Sequence, residues 1–261
     1  MRKGKFMQIS LEGKRAVITA GAAGMGRATA LAMHAVGADV FVCDVDDEAM
    51  STLPSGIEAS YCDVSDPAQI DGFFDSIVSD GLDILVNNAG IAGPTKLVED
   101  ITNDEWRTTM SVDIDSMFYC ARRAVPIFKS QQSGAMINMT STAGYLGYPT
   151  RTPYAAAKWA VVGLTKSLAM ELGPDNIRVN TIAPGSVNGD RMERVMAGHA
   201  AVEGITIDEV RRLYCLGVSM QSFVDPEEIA DTIVFLCSDY GRHISGQCIS
   251  VDGNTETLWP R

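Results

Sequence analysis

No apolar run in this 261-residue chain approaches the ~20 residues needed to cross a bilayer, so no membrane span is expected. No apolar core follows the cationic start Arg2, Lys3 and Lys5, so no secretory signal is expected either. The six cysteines (Cys43, Cys62, Cys120, Cys215, Cys237 and Cys248) contain no Cys-x-x-Cys pair and several sit in apolar runs. This spacing favours reduced, buried thiols in a cytoplasmic protein over a disulfide framework. His34, His199 and His243 are far apart and form no metal-ligand pattern, so no metal is expected. Basic residues are also scarce: 21 Lys and Arg against 33 Asp and Glu give a net charge of −12. Such a balance repels phosphate backbones and anionic lipid, which argues against nucleic acid or membrane partners and for a small molecule. No repeat, low-complexity run or interdomain linker is present, and the length suits one large domain.

What the chain has is alternation. Short β-branched runs occur at Ala16–Thr19, Val40–Cys43, Glu58–Tyr61, Ile84–Val86, Met136–Met139, Arg178–Ile182 and Cys248–Val251. Segments of helical period lie between them, near Met25–Val36, Pro67–Ser79, Asp104–Ser130, Tyr154–Leu172 and Pro226–Ser238. The pattern predicts an α/β fold of the Rossmann type, doubly wound, with a seven-stranded parallel sheet flanked by helices on both faces. Asp66-Pro67 and Asp225-Pro226 are good helix starts, a capping side chain followed by proline in the first turn. Ser186–Phe223 has no strand signal and is rich in charge, Met and Gly, the character of a substrate lid.

Directly after the first strand, Thr19 to Ala28 forms a small-residue turn containing Gly21, Gly24, Met25 and Gly26 and opening a helix. Small residues let the backbone approach a pyrophosphate, and the helix N-terminus offers free N–H groups. Asp44 ends the second strand, where a carboxylate can accept hydrogen bonds from an adenosine ribose diol and would repel a 2′-phosphate. NAD is therefore favoured over NADP; the alternative is that Asp44 caps the helix that follows. Asp63 and Val64 after the third strand are candidates for an adenine wall, and Asn88, Ala89 and Gly90 after the fourth leave room in the crevice. Turn chemistry alone also accommodates both runs.

Tyr154 and Lys158 are four apart in a helical segment, so phenol and ammonium lie one turn apart on one face. A free tyrosine is a poor base at neutrality, but a nearby cation favours the phenolate. Ser141, at the end of the short strand Ile137–Ser141 and thirteen residues before Tyr154, is a hydroxyl able to bond the same substrate oxygen.

Taken together, the glycine-rich turn at 19–26, Asn87-Asn88-Ala89-Gly90, Ser141, Tyr154-x-x-x-Lys158 and Pro184-Gly185 resemble the short-chain dehydrogenase/reductase family in order and spacing, from about Leu11 to Leu258. The resemblance implies residues 1–10 as an N-terminal extension and 11–261 as a single dinucleotide-binding catalytic domain, with a lid at about 186–223. It implies Tyr154 as the acid/base, Lys158 as its tuner and the holder of the nicotinamide ribose, and Ser141 as the group positioning the substrate oxygen. Pro184, Gly185 and Val187 would line the nicotinamide, and self-association as a homotetramer or dimer is implied through the long helices. Three departures stand out. Ala20 replaces the family's first turn glycine, a change tolerable where that residue keeps a negative φ. Asp113 stands at the usual position of an Asn that holds a water behind the lysine; it implies either a modified relay or a side chain facing elsewhere. Asn188-Gly189-Asp190 follows Pro184-Gly185 where a Thr usually contacts the carboxamide, and Asn188 is a substitute donor.

Candidate substrate contacts are Tyr148, Arg191 and Arg194. Arginine forks suit carboxylates or phosphates, so an anionic hydroxy acid or sugar-acid derivative is one expectation; surface pairing with Asp190 and Glu193 is the other. Tyr148, Met192 and Met196 are either an apolar wall or core. Three functions remain open: an NAD-dependent oxidoreductase acting on the CH–OH group of a secondary alcohol or its ketone; a carbonyl or 3-oxoacyl-thioester reductase drawing on NADPH; and a non-catalytic nucleotide-binding scaffold.

Overall fold

The computed structural model describes residues 8–77 and 80–259. The expected N-terminal extension therefore falls mostly outside the described residues, as do positions 78 and 79 at the end of the third expected helix. Seven strands form one all-parallel sheet: β1 (Arg15–Thr19), β2 (Asp39–Asp44), β3 (Ile57–Tyr61), β4 (Ile84–Asn87), β5 (Gly134–Met139), β6 (Ile177–Pro184) and β7 (Cys248–Val251), in the order β3-β2-β1-β4-β5-β6-β7. The fold is the expected doubly wound one, with each strand within two residues of its sequence-based bounds at either end.

Side chains alternate across the pleat, so each strand feeds two cores. Ile18, Val42, Val86 and Ile137 pack on one face against Ala30 and Met33 of α1 (Gly24–Ala35) and Ile229 and Ile233 of α9 (Pro226–Cys237). Val17, Leu85, Met136 and Val179 pack on the other against Phe73 and Phe74 of α3 (Pro67–Ile77) and Cys120, Ala124 and Phe128 of α5 (Ser116–Gln131). Because both faces are covered, the central strands read as continuous apolar runs. The capping expectation holds at Asp66, whose Oδ1 accepts from Ala68 N; at Asp225 the helix start is closed instead by the Asp225 backbone N–H donating to Glu228 Oε2, while its Oδ1 accepts from Asn188 Nδ2.

Beyond the five helical segments named from the sequence lie the short α2 (Asp47–Ser51), which is the helix following Asp44, α7 (Asp190–Glu203) and α8 (Ile207–Leu216). The last two fill the excursion between β6 and α9, and pack through Met196, Ala200, Val210 and Tyr214 into a small core of their own. Met196 is thus core, with Met192 packed against it. The helix expected over Asp104–Ser130 is also broken: α4 (Asn103–Met110) passes through a π-helical turn, Ser111–Asp115, before α5. Widened turns of this kind re-aim side chains and concentrate at functional sites. Here the turn points Asp113, which is fully buried, back at the sheet edge. α6 (Thr152–Leu172) starts with Pro153 in its first turn, where the missing N–H costs nothing.

Order reverses between the adjacent strands β1 and β4, the chain continuing from them to opposite sides of the sheet, so a crevice opens beyond their carboxyl ends. Asn88 bridges it, its Nδ2 donating to both Thr19 O and Ala20 O while its N–H reaches Thr19 Oγ1. Ala20 corrects one expectation. It takes φ 50°, the left-handed region, because the chain must turn sharply between β1 and α1 while its carbonyl is held by Asn88. A Cβ in that region costs roughly 1–2 kcal/mol, partly offset in a glycine variant by the added freedom of the unfolded chain. Ala20→Gly is expected to raise stability by about 0.5–1 kcal/mol in urea unfolding. An unchanged or lowered midpoint would show that the turn is unstrained.

Candidate active site

The carboxyl ends of β1, β4, β5 and β6 deliver the predicted residues to one edge of the sheet. After β1, the first turn of α1 has no side-chain cap, since its N-cap is Ala23. Its N–H groups are therefore available to an anion. A Cβ at Gly26 would come within 2.2 Å of Ala20 O and 2.5 Å of Asn88 Nδ2, so only glycine lets α1 close onto the turn. Gly24 has φ 52° with open space where a Cβ would be, and Met25 follows it partly buried against the first core. Gly21 packs under Val42.

Asp44 braces this turn. Its Oδ2 accepts from Ala22 N, and Oδ1 accepts from Val45 N and Asp46 N. The cap of α2 is Asp46, not Asp44, because Asp46 Oδ1 accepts from Ala49 N. Asp63 Oδ1 takes the N–H and hydroxyl of Ser65, while Val64 and Ala89 are buried in the second core. An uncapped helix end, a glycine turn and a fixed carboxylate at the end of β2 fit a dinucleotide: pyrophosphate on α1, ribose at Asp44.

α6 carries Tyr154 and Lys158 to the middle of the edge. Lys158 is 3 % exposed, its Nζ donating to Met139 O and lying 5.6 Å from the Tyr154 ring centre. Behind it, Asp113 Oδ2 is 3.8 Å from Lys158 Nζ and accepts no hydrogen bond, while Oδ1 accepts from Ile91 N at 2.6 Å. Asp113 therefore faces the lysine rather than pointing elsewhere. Gly90 makes this approach feasible, since a Cβ there would sit 3.2 Å from Asp113 Oδ1 and 3.3 Å from Lys158 Nζ. Ser141 Oγ accepts from Ala143 N, which leaves its proton to give.

Two arginines complete the surroundings of Tyr154. Arg191, on the first turn of α7, donates from Nη1 to Gly90 O at 3.2 Å and has its Cζ 5.9 Å from the Tyr154 ring centre. Arg194 is exposed and joins none of these contacts, so the two arginines do not form one cationic edge. Arg151, which sequence reasoning missed, is 3 % exposed and lies between the rings of Tyr148 and Tyr154, with Nε and Nη2 on Ala92 O. The signal available was its position, one turn before Tyr154 at the start of α6. Neither Arg151 nor Arg191 has a carboxylate partner among the described residues.

Burial is the largest influence on the Tyr154 phenol and opposes its ionisation; Arg191, then Lys158, and the Ser141 hydrogen bond overcome it, against Asp113, and hold the phenol below its ordinary value. Pro184 pairs with Val251 in the sheet, and Gly185 lies so close to Asp252 that a Cβ would clash at 2.9 Å. Val187 bridges Val224, and Asn188 Nδ2 is used on Asp225 Oδ1, so its amide is already engaged within the protein.

Beside Arg151, a shallow cleft with no room for a water molecule is lined by Tyr148, His199, Tyr214 and Trp259, among others. Tyr148 Oη and Tyr214 Oη are 3.0 Å apart, Tyr214 Oη meets His199 Nδ1, and Trp259 stacks on His199 at 4.6 Å. Among the described residues no cluster of three or more His, Cys, Asp and Glu could hold a metal ion, and no helix is long and apolar enough to cross a membrane.

Comparison with known proteins agrees with this geometry. Residues 20–254 match the family model described as enoyl-(acyl carrier protein) reductase. The chain is 33% identical over 252 residues to a 3-oxoacyl-(acyl-carrier-protein) reductase of Thermotoga maritima, covering 93% of this chain and 98% of that one. It is 35% identical over 255 residues to a trans-4-hydroxycyclohexanecarboxylate dehydrogenase of Sinomonas cyclohexanicum, covering 92% of each. Among solved structures, an NAD+-bound xylitol dehydrogenase superposes with a TM-score of 0.89 at 28% identity, over 94% of this chain and 99% of that one.

His199 offers a test of the cleft wall. Burial holds its imidazole below the usual value, against the pull of Glu203. The folded form thus favours neutral histidine, and the associated stability is present above about pH 6.5 and lost as pH falls through the lowered value. With Trp106 and Trp159 replaced by Phe, Trp259 emission is expected to red-shift on acidification below about pH 6.5. His199→Phe should abolish that shift; an identical transition in this variant would remove His199 from the explanation.

Proposed function

Since the chain belongs to the short-chain dehydrogenase/reductase family, a family of nicotinamide-dependent oxidoreductases acting on CH–OH and carbonyl groups, we propose that it is an NAD-dependent dehydrogenase of secondary alcohols bearing an anionic group, such as hydroxy acids or sugar acids. The observation that carries the reading is Tyr154, a phenol acidified by cations at the sheet's switch-point edge, with Arg151 and Arg191 beside it, neither of them in an ion pair among the described residues. Burying guanidinium without a counter-charge costs several kcal/mol, and an anionic ligand arriving with each substrate molecule would offset it. The relative whose name includes a hydroxy carboxylate is in keeping with this substrate class.

Bound NAD supplies the hydride acceptor. The Tyr154 phenolate takes the proton of the substrate hydroxyl as the carbon gives up hydride. Ser141, whose oxygen already accepts from Ala143 N, donates its proton to the same substrate oxygen. Lys158, after Arg191, favours the phenolate, and it has protons to spare for the nicotinamide ribose after its bond to Met139 O. Gly21, Gly24, Met25 and Gly26 receive the pyrophosphate, and Asp44 the adenosine ribose. Asp63, Val64, Asn88, Ala89 and Gly90 form the adenine and ribose walls, and Pro184, Gly185 and Val187 flank the nicotinamide. The excursion 186–223 acts as lid within the single domain 11–261.

Preference for NAD rests on Asp44 and on Arg27, the nearby basic residue that an NADPH-using reductase would employ. Arg27 spends Nη1 on Thr52 Oγ1 and Ala22 O and Nη2 on Thr52 O. A non-catalytic scaffold is disfavoured by the complete set Ser141, Tyr154 and Lys158. Free thiols and acidic composition support a cytoplasmic location. Trp106, Phe118, Trp159 and Met170, all exposed on α4, α5 and α6, support pairing of these helices in a homotetramer or dimer. Sedimentation at micromolar concentration is expected to show an oligomer; a monomer would refute the pairing.

The deciding experiment follows NADH formation over a panel of hydroxy acids, each beside its methyl ester, together with neutral sugars. The free acids are expected to give kcat/KM at least about tenfold above their esters, the worth of one charge-assisted hydrogen bond. Asp44→Ala should raise KM for NAD about tenfold without a matching change for NADP. Equal rates for acid and ester would remove the anionic substrate, and faster turnover with NADPH and ketones would favour the reductase.

A further inference from the structure

Asp113 and Arg191 come from distant parts of the chain, the π turn after α4 and the start of α7, yet they grip the same peptide group. Ile91 N–H donates to Asp113 Oδ1 at 2.6 Å, and Gly90 C=O accepts from Arg191 Nη1 at 3.2 Å. Those two atoms belong to the single planar amide between Gly90 and Ile91, so a carboxylate sits at one end of its dipole and a guanidinium at the other. The same two side chains also bracket the catalytic pair. Asp113 Oδ2, buried and without a hydrogen-bond donor, is 3.8 Å from Lys158 Nζ, while Arg191 Cζ is 5.9 Å from the Tyr154 ring. A full negative charge at 3.8 Å leaves the lysine presenting little more than a dipole to groups farther off, and the Tyr154 ring centre is 5.6 Å from Nζ. Lys158 alone is then a weakened tuner.

We propose that Asp113 and Arg191 are a charge-balancing pair joined through the Gly90–Ile91 peptide, in which the arginine restores at Tyr154 the positive charge that the carboxylate cancels at Lys158. Arg191 is a positioning residue in this role, and because it rides on the first turn of α7 the ionisation of the tyrosine depends on that helix lying against the sheet edge. The remaining groups facing the phenol are Arg151 from the start of α6, packed on the ring, and the Ser141 hydroxyl after β5. Arg151 also packs on Tyr148, whose hydroxyl meets that of Tyr214, which in turn meets His199 Nδ1. Arg151 is present in every variant below, so it does not enter the comparison. The inference rests on the proposed acid/base role of Tyr154 only for its consequence in catalysis; the coupling itself is measurable without substrate.

The test is a ¹³C NMR titration of the full-length protein labelled at tyrosine Cζ, with the Tyr154 signal assigned by its loss in Tyr154→Phe. Arg191→Met is expected to move the Tyr154 midpoint upward by roughly one pH unit, the effect of removing an opposite charge at about this distance. Arg191→Lys should hold it near the parent value. Asp113→Asn should move it downward, and Asp113→Asn combined with Arg191→Met should return it towards the parent. A midpoint unmoved by Arg191→Met, or a double variant that titrates like Arg191→Met alone, overturns the pairing. If Asp113→Asn does not fold, the Met and Lys variants at 191 still decide whether the lid arginine acts on Tyr154 by charge. Failure of the hydroxy-acid panel with this titration pattern intact would instead reject the proposed substrate while leaving the pairing in place.

Discussion

Three cations crowd one tyrosine ring, and most of the local architecture serves to hold them there. Arg151, Lys158 and Arg191 lie within 4.9, 5.6 and 5.9 Å of the Tyr154 ring centre. Mutual repulsion and desolvation both work against such a cluster. What restrains it is backbone: Ala92 O holds Arg151, Met139 O holds Lys158, and Gly90 O holds Arg191. Carbonyl oxygens neutralise none of the charge, so the field at the phenol survives. Asp113, the carboxylate beside this group, lies 3.8 Å from Lys158 Nζ and opposes the cations at the phenol.

That arrangement depends in turn on the sheet. A parallel sheet whose chain order reverses between β1 and β4 brings all of its strand ends to one edge and leaves a gap there. Asn88 ties the two ends across the gap, Ser141 leaves β5, and Gly90 carries the carbonyl that receives Arg191. Buried polar pairs beneath the edge, Asn87 Nδ2 to Asn138 Oδ1 and Asn138 Nδ2 to Thr165 Oγ1, tie β4 and β5 to α6 and fix the helix that bears Tyr154. Lys158 is held twice, through Nζ and through its own carbonyl, which accepts from Thr140 Oγ1.

Strands, flanking helices and the Tyr-Lys spacing were legible in the sequence because each has a local period or a fixed offset. Apolar alternation shows both cores, and four residues on a helix always share a face. What was not legible came from contacts distant in the chain. Nothing near Asp113 says that a π turn will aim it at Lys158, nor does anything near Ala20 show that Asn88, 68 residues away, will hold its carbonyl in a left-handed turn. α7 and α8 were read only as an irregular excursion because their apolar faces meet each other rather than the sheet. Arg151 was not singled out and His199 was weighed only as a metal ligand, because only the fold buries them. Arg191 and Arg194 looked equivalent by spacing, yet α7 turns one to the site and the other to solvent.

Replacing the Tyr154 hydroxyl is the most direct trial of the proposed chemistry. In Tyr154→Phe, NAD binding measured by calorimetry should persist while the rate of NADH formation with the best alcohol of the panel falls by at least about 10²–10⁴, the usual contribution of a positioned acid/base. A folded Tyr154→Phe protein that binds NAD and turns over at the parent rate would contradict it.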